Sequence, residues 1–175
     1  MRIPVFVSAP TDLNSAQKAV YDGILELLED FQLERRALGR SDYPTEFPLK
    51  EVIRLARKCS GGLVLGFVQQ TAAVVISKPG TSAEKTLPEA SSPVQYVAYP
   101  TAWNHLEAGI LFSLKLPILV FREEGITGGV FDNGVTDVFV HRMPTADECR
   151  SKNSSFREVI LRWQGRVREA YYADV

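Results

Sequence analysis

Leu63-Val64-Leu65-Gly66-Phe67-Val68 follows the pair Gly61-Gly62 without a single polar side chain. A strand with one wet face alternates apolar and polar residues. A strand with no polar position is covered on both faces, as at the centre of a parallel sheet. Residues 3–7 and 117–121 have the same character. The first run ends in the turn formers Ser8-Ala9-Pro10-Thr11 and is followed by helical periodicity. Strands that alternate with helices build βαβ units and a parallel sheet.

The rest of the chain fits that plan. Asn14 or Ser15 is placed to cap a helix with the stripe Val20, Ile24, Leu27, Leu28 and Phe31, and with Lys18, Asp22, Glu26 and Asp30 outside. Residues 33–38 form a weaker strand, interrupted by Arg35-Arg36, which suits a place near the sheet edge. A loop rich in charge and turn formers spans residues 39–48. Pro48 then opens a helix with Leu49, Val52, Ile53 and Ala56 facing in and Lys50, Arg54, Arg57 and Lys58 facing out. Residues 135–140 read as a last strand, and Asn153 or Ser154 caps a final helix with the stripe Phe156, Ile160, Trp163 and Val167.

Residues 69–100 are the least regular part: strand-like runs at 72–76 and 94–99 enclose Pro79-Gly80-Thr81 and Ala90-Ser91-Ser92-Pro93, as in an inserted hairpin. The expected fold is a three-layer, flavodoxin-like α/β domain over residues 1–175. Its doubly wound, mainly parallel sheet has about five strands, with an insertion at about 69–100.

Between the insertion and the strand at 117–121 lies Pro100-Thr101-Ala102-Trp103-Asn104-His105-Leu106-Glu107-Ala108-Gly109, continuing as Ile110-Leu111-Phe112-Ser113-Leu114. Thr101 can cap this helix, and Lys115 with Pro117 ends it. It is apolar nearly all round. Helical spacing puts Trp103, Glu107, Ile110 and Leu114 on one stripe, which predicts a carboxylate among buried groups. Ionised carboxylates are rarely buried without a partner or a task. An arginine partner, or a first-turn position favoured by the helix dipole, are the structural explanations.

In such a sheet, ligands bind beyond the carboxyl ends of the strands at the switch point. The start of this helix opens there, so Glu107 is expected to face the crevice. Ser8, Pro10 and Thr11 at the first strand's end can offer hydroxyls and backbone N–H groups to a ribose or phosphate. Neither a G-x-G-x-x-G nor a G-x-x-x-x-G-K-[ST] is present. No G-x-S-x-G accompanies the serines. Two histidines, His105 and His141, without ligand spacing imply no metal.

Twenty basic against twenty-one acidic residues, a net charge of -1, predict no nucleic-acid partner and no attraction to anionic membrane. Without a signal peptide or a run of ~20 apolar residues, the chain reads as cytoplasmic. Cys59 and Cys149 then read as reduced, with Cys59 a small core residue.

Three segments resemble the nucleoside 2-deoxyribosyltransferase-like superfamily, which shares its sheet architecture with Toll/interleukin-receptor-type NAD-cleaving domains. They are Val5-Phe6-Val7-Ser8, the run from Cys59 through Gly66, and Trp103-Asn104-His105-Leu106-Glu107-Ala108-Gly109 before Leu116-Pro117-Ile118. The resemblance spans residues 3–121. It implies N-glycosidic bond cleavage without a cofactor, on a nucleoside, nucleotide or NAD-like small molecule, with Glu107 matching the catalytic carboxylate. Glu107 would attack the anomeric carbon or stabilise an oxocarbenium-like transition state, and water or a second base would complete hydrolysis or transfer.

Asp42 is the second catalytic candidate, to hold sugar hydroxyls or assist the leaving base. Tyr43, Phe67 and Trp103 are candidates to stack on a base, and Asn104 and Arg122 complete the substrate-binding set. The insertion is longer than a minimal transferase carries at that point, and no segment matches a second catalytic acid. The alternatives are a non-catalytic nucleotide-binding signalling or sensing domain, and an interaction module that forms a homodimer through Trp163, Tyr171 and Tyr172.

Overall fold

The computed structural model describes residues 2–39, 47–93 and 95–173. Along the chain run β1 (Ile3–Ser8), α1 (Ser15–Asp30), β2 (Leu33–Arg36), α2 (Pro48–Ala56) and β3 (Gly62–Gly66). The short strands β4 (Gln70–Ala72), β5 (Val75–Ser77), β6 (Lys85–Leu87) and β7 (Val97–Tyr99) come next. They lead into α3 (Ala102–Ser113), β8 (Ile118–Arg122), a 3-10 turn at Gly129–Phe131, β9 (Val140–Arg142), α4 (Ala146–Arg150) and α5 (Ser155–Ala173).

Five strands form the central sheet in the order β2-β1-β3-β8-β9, and every neighbouring pair is parallel. This is the flavodoxin-like α/β arrangement, with β3 at its centre and the weak β2 at an edge. The alternation of side chains along each strand divides the core in two. Val5, Val7, Leu63, Leu65, Leu119 and Phe121 point to the layer of α1, α4 and α5. Phe6, Val64, Ile118 and Val120 point to the layer of α2 and α3. All of these apolar side chains are buried, which accounts for the unbroken apolar runs.

The insertion is two nested antiparallel pairs. β4 pairs with β7 beside the main sheet, and β5 pairs with β6 farther out. The strand expected at 72–76 is therefore divided between β4 and β5.

Several expectations need correction. The helix α3 buries Asn104, Ala108 and Leu111, whereas Trp103, expected on the buried stripe, is 42% exposed. An all-round apolar helix carries no strong directional signal, so its contacts with β1, β3 and β8 choose the inner face. In α2 the inner face is Glu51, Val52, Leu55 and Ala56, and Leu49 is exposed. Glu51 is tolerated there because its carboxylate pairs with Arg54 at 2.6 Å.

The last strand is Val140–Arg142, because Val135 and Phe139 stand out in solvent ahead of it. The helix α4 was not anticipated, although Thr145 and Glu148 form a capping box at its start. Trp163 is buried, and its Nε1–H donates to the Pro117 carbonyl at 2.9 Å, so it offers nothing to a partner chain.

Candidate functional site

At β1 the order of the sheet reverses: the chain passes to β2 on one side, then returns to β3 and continues to β8 and β9 on the other. Beyond the carboxyl ends of the strands on this reversal lies a cavity of about 260 Å³. Ala9, Pro10 and Thr11 line it after β1, Leu38 and Gly39 after β2, and Pro48 at the start of α2. From the first two turns of α3 come Thr101, Trp103 and Glu107. Three peptide segments and one helix therefore converge on it.

The helix start explains why these α3 side chains arrive together. Thr101 has extended backbone and its side chain accepts a hydrogen bond from the Asn104 N–H, so the helix begins at the cavity wall. Trp103 and Glu107, four residues apart, project along one side of it. The next residue in the helical pattern toward the sheet, Asn104, lies under the cavity instead and is only 1% exposed.

Glu107 is half-buried and is the one ionisable side chain among the described residues that line the cavity. Burial pushes its carboxyl up to about 7, and the Ser8 hydroxyl opposes part of that rise. Among the described residues neither an arginine nor any other charged group contributes to the shift, so the ion-pair explanation for this carboxylate has no support there. Glu107 also stands more than one turn into the helix, beyond the first-turn positions that the dipole favours most.

Ser8 is itself buried at the end of β1. The Asn104 side-chain N–H donates to Ser8 Oγ at 2.8 Å. Pro10, Thr11, Trp103 and Glu107 thus line one cavity, while Ser8 and Asn104 form its polar support. Asp42 and Tyr43 lie outside the described residues.

Phe67 and Arg122 occupy other places. Phe67 is fully buried in the layer of α1 and α5. The Arg122 guanidinium donates to the carbonyls of Ile126 and Phe131 at 2.9 and 2.7 Å and braces the loop after β8. His105, two residues before Glu107, faces away from the cavity: its ring packs edge-on against Phe131 at 5.3 Å. Burial lowers its pKa, and Asp132 opposes that shift.

Leu38, Pro48 and Thr101 carried no chemical signal as residues. Only their positions after a strand or at a helix start mark them as part of the rim. Among the described residues no group of His, Cys, Asp and Glu side chains is arranged to hold a metal ion. No helix among them is long and apolar enough to cross a membrane. No family model, curated protein or solved structure matches the chain.

Proposed function

We propose that the chain cleaves an N-glycosidic bond in a nucleoside, nucleotide or NAD-like small molecule, and that it is a divergent relative of the nucleoside 2-deoxyribosyltransferase-like proteins. The observation that carries this reading is Glu107, a carboxyl held near neutrality in a cavity at the switch point of the sheet. A Glu carboxylate oxygen is suited to attack an anomeric carbon. The carbon–nitrogen bond then breaks, its electron pair leaves with the base, and the base takes up a proton. Water attacks the resulting glycosyl ester to give the free sugar, or a second base attacks it to give a new nucleoside. In either case the Glu107 carboxylate is restored.

Trp103, 42% exposed at the cavity wall, supplies a planar apolar surface for the base. The test is incubation with NAD and a panel of nucleosides and nucleotides, with chromatography of the released base. Base release that is lost in Glu107→Gln supports the reading. No release from any compound, or equal release by Glu107→Gln, removes it.

A second reading, a nucleotide-binding signalling or sensing domain, is favoured by one observation: Glu107 has no second ionisable side chain beside it among the described lining residues. It predicts a ligand-dependent rise in melting temperature without turnover. A cytoplasmic setting belongs to both readings, and the burial of both cysteines without a disulfide supports it. Recovery of the chain in a membrane or secreted fraction would count against that setting. A homodimer through α5, with Trp163 buried, would use Tyr172 and the neighbouring exposed Leu161. A strict monomer by light scattering removes it.

A further inference from the structure

Apolar burial does not explain how the first half of α3 is turned about its own axis. The inner face is Asn104, Ala108 and Leu111, while Trp103, Leu106 and Phe112 are left 42, 43 and 47% exposed. With about 100° between successive residues, roughly a quarter of a revolution one way would bring Trp103, Glu107 and Ile110 against the sheet. A quarter of a revolution the other way would bring in His105 and Phe112. Either turn buries more apolar area than Asn104 and Ala108 supply, and area is what the hydrophobic effect rewards. The cost of taking the Glu107 carboxylate inward opposes the first turn only.

Two contacts fix the observed setting. In the second half of the helix, Leu111 sits over Gly62, where a Cβ would lie 2.7 Å from Leu111 Cδ1. In the first turn the contact is polar. The buried Asn104 amide donates to Ser8 Oγ at the end of β1 at 2.8 Å, and to the Leu65 carbonyl of β3 at 3.4 Å. Its Oδ1 accepts from the Thr101 hydroxyl at 3.3 Å, and that hydroxyl accepts the Asn104 backbone N–H at 3.2 Å. One amide thus ties the helix cap to two paired strands of the sheet.

Hydrogen bonds are directional and apolar contact is not. Only one rotation of the helix lets this amide meet both strands. A turn either way strands the amide and the Ser8 hydroxyl in the interior, where each unpaired group costs more than a bond returns. A single buried asparagine among apolar positions sets the register of a coiled coil by the same physics.

We propose that Asn104 is the rotational pin of α3: its bonds to Ser8 and Leu65 hold the first two turns so that Trp103 and Glu107 face the cavity. It is a positioning residue, buried beneath the cavity, and it acts through the direction in which it turns those two side chains. Its value to catalysis rests on the reading of this cavity as the place of N-glycosidic cleavage. The pin itself does not.

The test uses the two tryptophans, exposed Trp103 at the cavity wall and buried Trp163 on the far side of the sheet. Incorporation of 5-fluorotryptophan gives each a fluorine NMR line, the second an internal control. The variant is Ser8→Ala with Asn104→Leu, which removes both partners of the buried bond and keeps the inner face filled. Replacing both partners by apolar groups is nearly neutral, so its melting temperature should stay within about 5 °C of wild type. The Trp103 line should move or split while the Trp163 line stays in place. A single, unmoved Trp103 line in the folded variant overturns the proposal.

If the double variant does not fold, Ser8→Ala alone decides the matter, since it removes one of the two strand anchors. The Trp103 line should then broaden or move, and a sharp, unmoved line overturns the proposal. For turnover, base release should fall about a hundredfold in the double variant, as for a reacting group turned out of place. Release at the wild-type rate from a folded double variant would overturn the pin's role in the site. Absence of release by the wild type would remove the cleavage reading and leave the fluorine lines to decide the pin.

Discussion

Glu123 at the end of β8 and Gln17 in the first turn of α1 are joined side chain to side chain at 2.9 Å, across 106 residues of sequence. The same carboxylate oxygen accepts the Val68 backbone N–H at 2.5 Å, and the Gln17 amide also donates to the Val68 carbonyl at 3.1 Å. Gln17 in turn closes a capping box with Asn14. One carboxylate thereby ties the start of α1 to the carboxyl ends of β3 and β8, next to the rim that holds the cavity. This carboxylate is taken up by backbone and amide donors, whereas Glu107 lines the cavity.

Glu123→Ala strands the Gln17 amide and the Val68 N–H together. The expected cost is about 2–3 kcal/mol, because donors are left without the charged acceptor they shared. Urea denaturation measures it. A loss below about 0.5 kcal/mol would mean that water replaces the carboxylate, and that the clamp is not what holds α1 to the rim.

Glu107 should make stability depend on pH in the opposite sense to a salt-bridged carboxylate. Its folded pKa of about 7 lies above the ordinary value of 4.5, so its contribution to stability is full below 4.5 and is lost as pH rises through 7. The loss amounts to about 2–3 kcal/mol across that window. Denaturation curves from pH 4.5 to 8 should slope downward in the wild type and be flatter in Glu107→Gln. Parallel curves would show that this carboxyl is not raised. For base release by a nucleophilic carboxylate, kcat/KM should rise through about pH 7 as the ionised form appears.

Trp103→Ala should separate binding from stability. Trp103 is 42% exposed at the cavity wall, so the partial burial it gives up is expected to cost the fold about 2 kcal/mol. A base stacked on it would lose about 1–3 kcal/mol of binding, a rise in Kd of roughly tenfold or more. Isothermal titration with a nucleoside that binds the wild type checks this. An unchanged Kd places the base elsewhere.

Gly66 at the end of β3 is a packing hole. A Cβ built there would lie 2.5 Å from Cε1 and 2.8 Å from Cζ of Phe131, whose ring is fully buried. A phenyl ring in a closed core cannot swing aside as a flexible chain would, so Gly66→Ala should cost about 1–3 kcal/mol. Phe131→Leu in the Gly66→Ala background should recover part of the loss, as read by thermal denaturation. Additive losses would mean that another contact sets the limit.

The apolar runs at 3–7, 63–68 and 117–121 were sufficient to derive the sheet, because a strand covered on both faces leaves an unbroken apolar signature. The amphipathic faces of α1 and α5 were legible for the related reason that one side of each is wet: Ile24, Leu27 and Leu28, and Phe156, Ile160, Trp163 and Val167, are all buried. Caps at Asn14, Thr101 and Ser154 were legible because each side chain accepts from the backbone N–H three residues on. Glu107 could be singled out for a similar reason: a carboxylate in an apolar helix is conspicuous without its surroundings.

Other features needed partners distant in sequence. The inner face of α3 could not be read from a helix with apolar residues on all sides, and its choice of Asn104, Ala108 and Leu111 is set by the strands beneath. The apolar Val135 and Phe139 looked like strand, but only pairing with β8 decides where β9 begins, at Val140. Phe67 and Arg122 had suitable chemistry for a site, yet packing placed one in the core and bound the other to its own loop. Local periodicity and chemistry thus determined the main strands and the long helices and nominated Glu107. The tertiary structure alone decided that Ser8 and Asn104, 96 residues apart, stand behind it, because hydrogen bonds between distant segments leave no spacing in the sequence.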